Sequence, residues 1–482
     1  MPSLSWSTIS LLLGSFSLTA NAVQTISAVG SKFFYEDGTQ YFLKGIAYQL
    51  IPEDPLIDVA QCKRDAALMG ELGANSIRVY HVDPKANHDG CMKAFADKGI
   101  YLFLDLDTFD TAIDQTTPKW TEEQSNAFKA VMDAFHQYDN LAGFFVGNEI
   151  LTTKEGSPAA PYLLAAVRDM KSYRNKKHYR NIPIGYSAAD IAELRPMLQN
   201  YLSCRDDAAE RVDFFALNAY EWCGDANYKT SGYVNLQAQA KDYPVPIFFS
   251  ETGCNVARPR LFTDQHAIFS KPMVDTWSGS IVYEWIQETN DYGLISYGPE
   301  EPNAPATKTN VQDGFVRSGK PTPIQPDFDN LKGQWATLSP KGVPFDDYVK
   351  TTGQIKPPAC PAPTGGWLVD ADKPLPTLGD EFHRPAETSL PTGHGHSQGK
   401  EESDKDDESS GRSPSSSSGS DGDGDGNGDG ASTSHGPSSS DPSSTDYQLS
   451  NGAGSLATRP FDGAMGLAVL VCSAVGGLAL WL

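Results

Sequence analysis

The chain has 482 residues and a formal net charge of −23, a length that allows one large domain plus a tail. From Asp370 onward it carries 18 acidic and 6 basic residues, about half of that charge, so neither part is basic. Nucleic acid is thereby argued against as a partner.

The first segment is apolar around Leu11–Leu13 and ends in the small-x-small pattern Ala20-Asn21-Ala22. It reads as a secretory signal over residues 1–22. Residues 23–330 then alternate buried-strand and helix-like patterns. The predicted strands are Tyr41–Tyr48, Asn75–Val82, Ile100–Leu106, Leu141–Gly147, Ile182–Ser187, Val212–Ala219, Pro246–Ser250 and Ser280–Trp285. Amphipathic stretches lie between them, among them Val59–Leu72, Glu122–Gln137, Tyr162–Arg174 and Ile191–Leu198. Eight strands separated by helices predict an α/β chain, a (β/α)8 TIM barrel. Residues 331–391 are Pro-rich yet carry Trp335, Cys360 and Trp367, so part of that segment is expected to pack on the barrel.

Residues 392–451 are rich in Ser, Gly and Asp, with too little apolar surface to fold, and read as a disordered spacer. The Asp-Gly alternation at 421–430 lacks the recurring apolar position of a calcium-binding repeat. Small residues at Ser450–Ala453, a short spacer through Asp462 and an apolar tail from Ala464 to Leu482 predict a GPI-anchor signal over 452–482, with attachment at Asn451. A tail-anchored transmembrane helix is the alternative. The two ends together predict a secreted eukaryotic protein, tethered at the outer face of the plasma membrane or in the wall.

Of seven cysteines, Cys472 lies in the removable tail. The other six, Cys62, Cys91, Cys204, Cys223, Cys254 and Cys360, predict three disulfides, and spacing alone leaves 15 pairings open. No CxxC or HxxxH cluster supports zinc, and neither metal nor cofactor is expected. The chain has no Asn-x-Ser/Thr sequon, so glycosylation is expected on hydroxyls, at 413–420 and 432–444.

The chemistry gathers at strand ends. Ala-Gly-Phe-Phe-Val-Gly-Asn148-Glu149 and Val-Pro-Ile-Phe-Phe-Ser-Glu251-Thr are apolar runs that each end in a carboxylate. A glutamate there is costly unless it has partners or a task. Two facing each other across a barrel mouth suit glycoside hydrolysis or transfer. Glu149 is the expected acid/base and Glu251 the expected nucleophile of a retaining mechanism. Asn148 is expected to bind the sugar 2-OH, and Arg78 and Tyr220 to keep Glu251 ionised. Gln49, Tyr80, Asp105, Asn218 and Tyr283 also fall at strand ends.

These residues stand in a series of motifs: Tyr-Phe-Leu-Lys-Gly-Ile-Ala-Tyr-Gln49, Asn-Ser-Ile-Arg78-Val-Tyr80, Gly-Asn148-Glu149, Asn218-Ala-Tyr220-Glu-Trp-Cys223, Ser-Glu251-Thr-Gly-Cys254-Asn and Val-Tyr283-Glu-Trp. Over residues 23–365 the chain resembles the fungal GPI-anchored β-1,3-glucanosyltransferases of glycoside hydrolase family 72. The resemblance implies cleavage of an internal β-1,3-glucan bond and transfer of the new reducing end to the non-reducing end of a second glucan chain. It places substrate contacts on Gln49, Tyr80, Asp105, Asn148, Tyr220 and Tyr283, and disulfides at Cys62–Cys91, Cys204–Cys360 and Cys223–Cys254. It also implies a form without the cysteine-rich carbohydrate-binding module, since only Cys472 follows Cys360. Water as acceptor would instead give an endo-β-1,3-glucanase, and a silent site would give a wall glucan-binding protein.

Overall fold

Runs of Phe, Leu, Ile and Val, each four to eight residues long, form eight parallel strands that close into a barrel. In the computed structural model, which describes residues 23–352, 355–382, 470–472 and 478–480, the strands are β1 (Leu43–Ala47), β2 (Ser76–Val79), β3 (Tyr101–Asp105), β4 (Leu141–Asn148), β5 (Ile184–Ala189), β6 (Phe214–Asn218), β7 (Ile247–Thr252) and β8 (Trp277–Val282). Each pairs with its sequence neighbours, and β8 closes on β1 through Gly279↔Leu43 to Val282↔Ile46. The predicted TIM barrel is thus the fold.

The helices follow from local signals. Helix α1 (Val59–Leu72) starts where the Asp58 carboxylate accepts from Ala60 N and Gln61 N, and stops at Gly73, whose φ of 95° suits glycine. Helix α2 covers Asp89–Ala96, and α3 (Glu122–Phe135) opens on a reciprocal Thr121–Gln124 capping box. Helices α4 (Ala160–Lys176), α5 (Arg195–Tyr201), α6 (Tyr233–Ala240) and α7 (Thr263–Ile268) complete the outer ring.

Of the strand boundaries that differ from the sequence reading, two have a clear physical cause. The predicted first strand divides: Gln40–Tyr41 belong to a three-stranded antiparallel sheet with Ile26–Val29 and Lys32–Tyr35, a sheet the apolar pattern did not single out. Phe33 of that sheet is fully buried against Phe103, Phe214 and Phe248, with ring centroids 6.0 Å from each, and fills one end of the barrel. The eighth strand begins at Trp277 rather than Ser280, so Tyr283–Trp285 lie beyond its end. Gly279, in the part of β8 that the predicted strand omits, has φ 126° and runs so close to β1 that a Cβ would meet Leu43 O at 2.2 Å.

The Pro-rich segment packs on the barrel. Helix α8 (Asp327–Thr337) buries Trp335, whose indole donates to Gln265 Oε1 at 2.9 Å, and Lys44 Nζ donates to Trp335 O and Leu338 O. Helix α9 (Phe345–Thr352) brings the Tyr348 hydroxyl to Ser31 N at 2.7 Å. Trp367 is buried edge-on to Tyr201. Disulfides join Cys62–Cys91, Cys204–Cys360 and Cys223–Cys254.

The predicted signal (1–22), the spacer (392–451) and Asn451 lie outside the described residues. Of the apolar tail, Leu470–Cys472 and Leu478–Leu480 are described, as an antiparallel pair. Among the described residues no helix is long and apolar enough to cross a membrane.

Candidate active site

With one barrel end filled by aromatic rings, polar side chains collect at the C-terminal ends of the strands, the usual reactive face of this fold. Arg78 on β2 is the centre and is fully buried. Its guanidinium lies 4.3 Å from the Tyr80 ring and 4.4 Å from the Phe145 ring. It donates through Nε and Nη2 to the two oxygens of Asp105, at 3.1 and 2.8 Å, a bidentate pair that fixes its orientation. The remaining donors reach Asn148 Oδ1 (3.0 Å), Ser187 Oγ (3.0 Å) and Glu251 Oε1 (3.4 Å).

Glu251 lies in β7, 6% exposed. Tyr80 donates to its Oε1 at 2.8 Å and Tyr220 to its Oε2 at 2.7 Å. Burial pushes this carboxyl up, and Arg78, Tyr220, Tyr80 and Asn218 pull it back. Both phenols are held well above their usual range, first by burial and then by the Glu251 charge, so they remain donors.

Glu149 follows β4 directly, with φ 48°. That left-handed conformation costs a non-glycine residue about 1–2 kcal/mol. The Glu149 N–H is held by Ser187 O at 2.9 Å. Among the described residues its carboxyl accepts one side-chain bond, from Asn218 Nδ2 at 2.9 Å. Burial, and secondarily the neighbouring Glu251, pushes it up to about 8. The two carboxyls are thus treated unequally: among the described residues Glu251 has three side-chain donors for its charge, whereas Glu149 has one.

A layer of small polar residues orients the amides. Ser250 donates to Asn218 Oδ1 at 2.7 Å, which aims Asn218 Nδ2 at Glu149 and at Asn148 Oδ1 (3.1 Å). Asn148 Oδ1 also accepts from Arg78 and lies 2.9 Å from Ser187 Oγ. With that oxygen saturated, the Asn148 amide nitrogen is left as the donor available to a ligand.

Of the predicted site residues, Arg78, Tyr80, Asp105, Asn148, Glu149, Asn218, Tyr220 and Glu251 form this one network. Asp105 is spent on Arg78, and burial raises its carboxyl to about 6. Gln49 is spent on the backbone: its Oε1 accepts from Tyr80 N and His81 N and its Nε2 donates to Ile51 O, so it braces the Tyr80 turn. Among the described residues Tyr283 makes no hydrogen bond to either glutamate; it packs edge-on to Tyr220 (6.5 Å) and Tyr292 (5.3 Å). Sequence reasoning missed Ser187 and Ser250, both fully buried. It also missed Tyr292 and the buried Asp107, whose carboxyl burial and Asp105 raise to about 8.

The chain matches the glucanosyltransferase family of glycoside hydrolases, number 72, over residues 15–315, and belongs to it. It is 40% identical over 365 residues to the 1,3-beta-glucanosyltransferase gas2 of Schizosaccharomyces pombe, covering 72% of this chain and 74% of that protein. It is also 40% identical to the 1,3-beta-glucanosyltransferase PGA5 of Candida albicans, over 70% of this chain but only 53% of that protein. A solved structure of a Saccharomyces cerevisiae Gas2p point mutant in complex with laminaritetraose and laminaripentaose is similar at TM-score 0.65 and 35% identity, over 75% of this chain and 76% of that one.

Proposed function

We propose that the chain is a retaining 1,3-β-glucanosyltransferase that elongates cell-wall β-1,3-glucan. Glu251 attacks the anomeric carbon of an internal glucosyl unit. The glycosidic C–O bond breaks as Glu149 gives its proton to the leaving oxygen, and a covalent glycosyl–Glu251 ester remains. The 3-OH at the non-reducing end of a second glucan then attacks the same carbon, gives its proton to Glu149 and releases Glu251. Asn148 donates to the sugar 2-OH, where contacts strengthen in the transition state. Tyr80, Tyr220 and Arg78 stabilise Glu251 as leaving group in the second step.

The observation that carries this reading is the unequal treatment of the two carboxyls: Tyr80, Tyr220 and Arg78 on Glu251, Asn218 alone on Glu149. The relatives' glucanosyltransferase names and the laminari-oligosaccharide complex of a similar structure support the linkage and the transfer. The signal over 1–22 and the tail with Asn451 support export and GPI attachment at the plasma membrane or wall. The test is incubation of the purified protein with a reduced β-1,3-gluco-oligosaccharide. Products longer than the substrate are expected. Only shorter ones would make it an endo-glucanase, and an unchanged substrate would make it a binding protein.

A further inference from the structure

A second pocket lies outside the ring of strands, between the loop after β6, helix α7 and helix α8. Its volume is about 440 Å3, and Trp222, Tyr228, His266, Ala267, Lys271 and Gln334 line it. That volume falls within the range of small-ligand sites, roughly 300–1,000 Å3. None of these residues takes part in the network around Glu149 and Glu251.

The lining has a definite chemistry. Trp222 and Tyr228 are each packed on one side against the core and half-buried, so two aromatic rings contribute to the wall. The Trp222 ring is fixed, its Nε1 donating to Thr263 Oγ1 at 2.9 Å and its face edge-on to Tyr233 at 5.1 Å. Gln334 Nε2 donates to Leu261 O at 3.0 Å, which leaves Oε1 as an oriented acceptor. The Tyr228 hydroxyl has no side-chain partner among the described residues and can donate or accept. His266 and Lys271 are exposed at the rim, Lys271 beside the likewise exposed Asp275, so their charge is solvated and the wall itself buries none. Fixed rings with neutral hydroxyl and amide groups at their edge suit a ligand with an apolar face and a hydroxyl-bearing edge, and no charge. A pyranose has that form.

The pocket is also tied to the reaction. Trp222 is two residues past Tyr220, which holds Glu251, and directly precedes Cys223, whose disulfide reaches Cys254 three residues past Glu251. A ligand against Trp222 touches the loop that positions the nucleophile.

We propose that this pocket is a second glucosyl-binding site, one that takes a neutral segment of a gluco-oligosaccharide remote from the bond being broken. The identity of the sugar rests on the function proposed above. In an intact Glu149→Gln protein, calorimetric titration with a soluble β-1,3-gluco-oligosaccharide gives binding in the donor and acceptor cleft plus one further event. Tyr228→Ala, which removes a ring, and Ala267→Phe, which fills the space, each abolish that further event and leave binding in the cleft in place. Placed in the otherwise unaltered enzyme, both changes slow turnover of long glucan about 3- to 10-fold, the scale of one aromatic contact, and leave that of a short oligosaccharide unchanged. A binding stoichiometry that neither substitution lowers, or equal rate losses on long and short substrates, would overturn the assignment. Loss of one event in both variants, with an unaltered enzyme that fails to process any β-1,3-glucan, would instead refute the catalytic reading and leave the pocket's assignment standing.

Discussion

Replacing Tyr220 by Phe removes one hydroxyl from the surroundings of the nucleophile and little else. That hydroxyl donates to Glu251 Oε2 at 2.7 Å, at a carboxylate only 6% exposed. A hydrogen bond to a charged group contributes about 1.5–3 kcal/mol, so kcat/KM is expected to fall about 10- to 160-fold. The pH dependence identifies the cause. The bond stabilises the ionised carboxyl, so its loss raises the proton affinity of Glu251. Attack requires ionised Glu251, and the acid limb of the kcat/KM profile therefore moves to higher pH. The alkaline limb, set by Glu149, stays in place. The assay is initial rate of product elongation on a reduced β-1,3-gluco-oligosaccharide across the pH range. Tyr80→Phe, which removes the 2.8 Å bond to Oε1, moves the same limb in the same direction. An acid limb that stays fixed in both variants, or an alkaline limb that moves instead, would refute the assignment of Glu251 as the charged partner.

The intact enzyme loses activity as pH rises through about 8, because burial and Glu251 hold the Glu149 proton up to that value and glycosyl transfer needs it. Glu149→Gln removes that alkaline limb and lowers the rate by about 10²- to 10⁴-fold, and because a buried carboxyl with raised proton affinity disfavours the fold above its unfolded pKa, the variant melts at or above the parent's temperature at neutral pH. Arg78→Leu leaves Asp105 buried without its cation and destabilises the fold by about 3–5 kcal/mol, read as a lower midpoint in denaturant; an unchanged midpoint would remove Arg78 from the structural core of the site. Trp335→Ala opens a cavity beside Gln265 and costs about 3–5 kcal/mol by the same measurement, whereas a neutral outcome would mean that α8 is not part of the folded unit.

The barrel was legible because its strands are nearly continuous apolar runs, buried on both faces, and their period is hard to mistake. Leu141–Asn148 and Ile247–Thr252 fall within two residues of their predicted ends. The N-terminal sheet was not legible, because Lys32–Tyr35 is four residues long and its burial depends on a barrel end formed by Phe103, Phe214 and Phe248. The start of β8 was hidden because Gly279 is required by close approach to Leu43, a contact from the other end of the domain. The two glutamates could be picked out because charge at the end of a dry strand is conspicuous. Ser187 and Ser250 could not, because a hydroxyl carries no such penalty and its role emerges only when strands β4 to β7 stand side by side. Gln49 and Asp105 sit where strand ends predict substrate contacts, yet their polar atoms are already engaged by Tyr80 N and Arg78. Position at a strand end thus selects for the site, while the division between binding and bracing is set by partners far away in sequence.

That division extends beyond the barrel. Arg260 is 2% exposed, and its guanidinium donates to Tyr283 O at 3.1 Å, Tyr292 O at 2.7 Å and Asp327 Oδ2 at 2.9 Å. Asp327 opens helix α8, which Trp335 anchors. The loop after β7 is thereby joined to the residues after β8, and the Cys223–Cys254 bridge joins it to the loop after β6. Tyr220, Tyr283 and Tyr292 meet edge-on where these loops converge. A carboxylate that must first attack and then leave needs donors that hold one geometry through both steps. Tyr220 is kept in place by a disulfide on one side and an aromatic cluster on the other, and the second of these is held by an arginine whose counter-ion lies outside the barrel. The segment after residue 320 therefore belongs to the catalytic unit in a physical sense, and a barrel cut at residue 315 would retain both glutamates and their direct donors but lose Asp327, the counter-ion of the Arg260 that braces the Tyr283 and Tyr292 backbone.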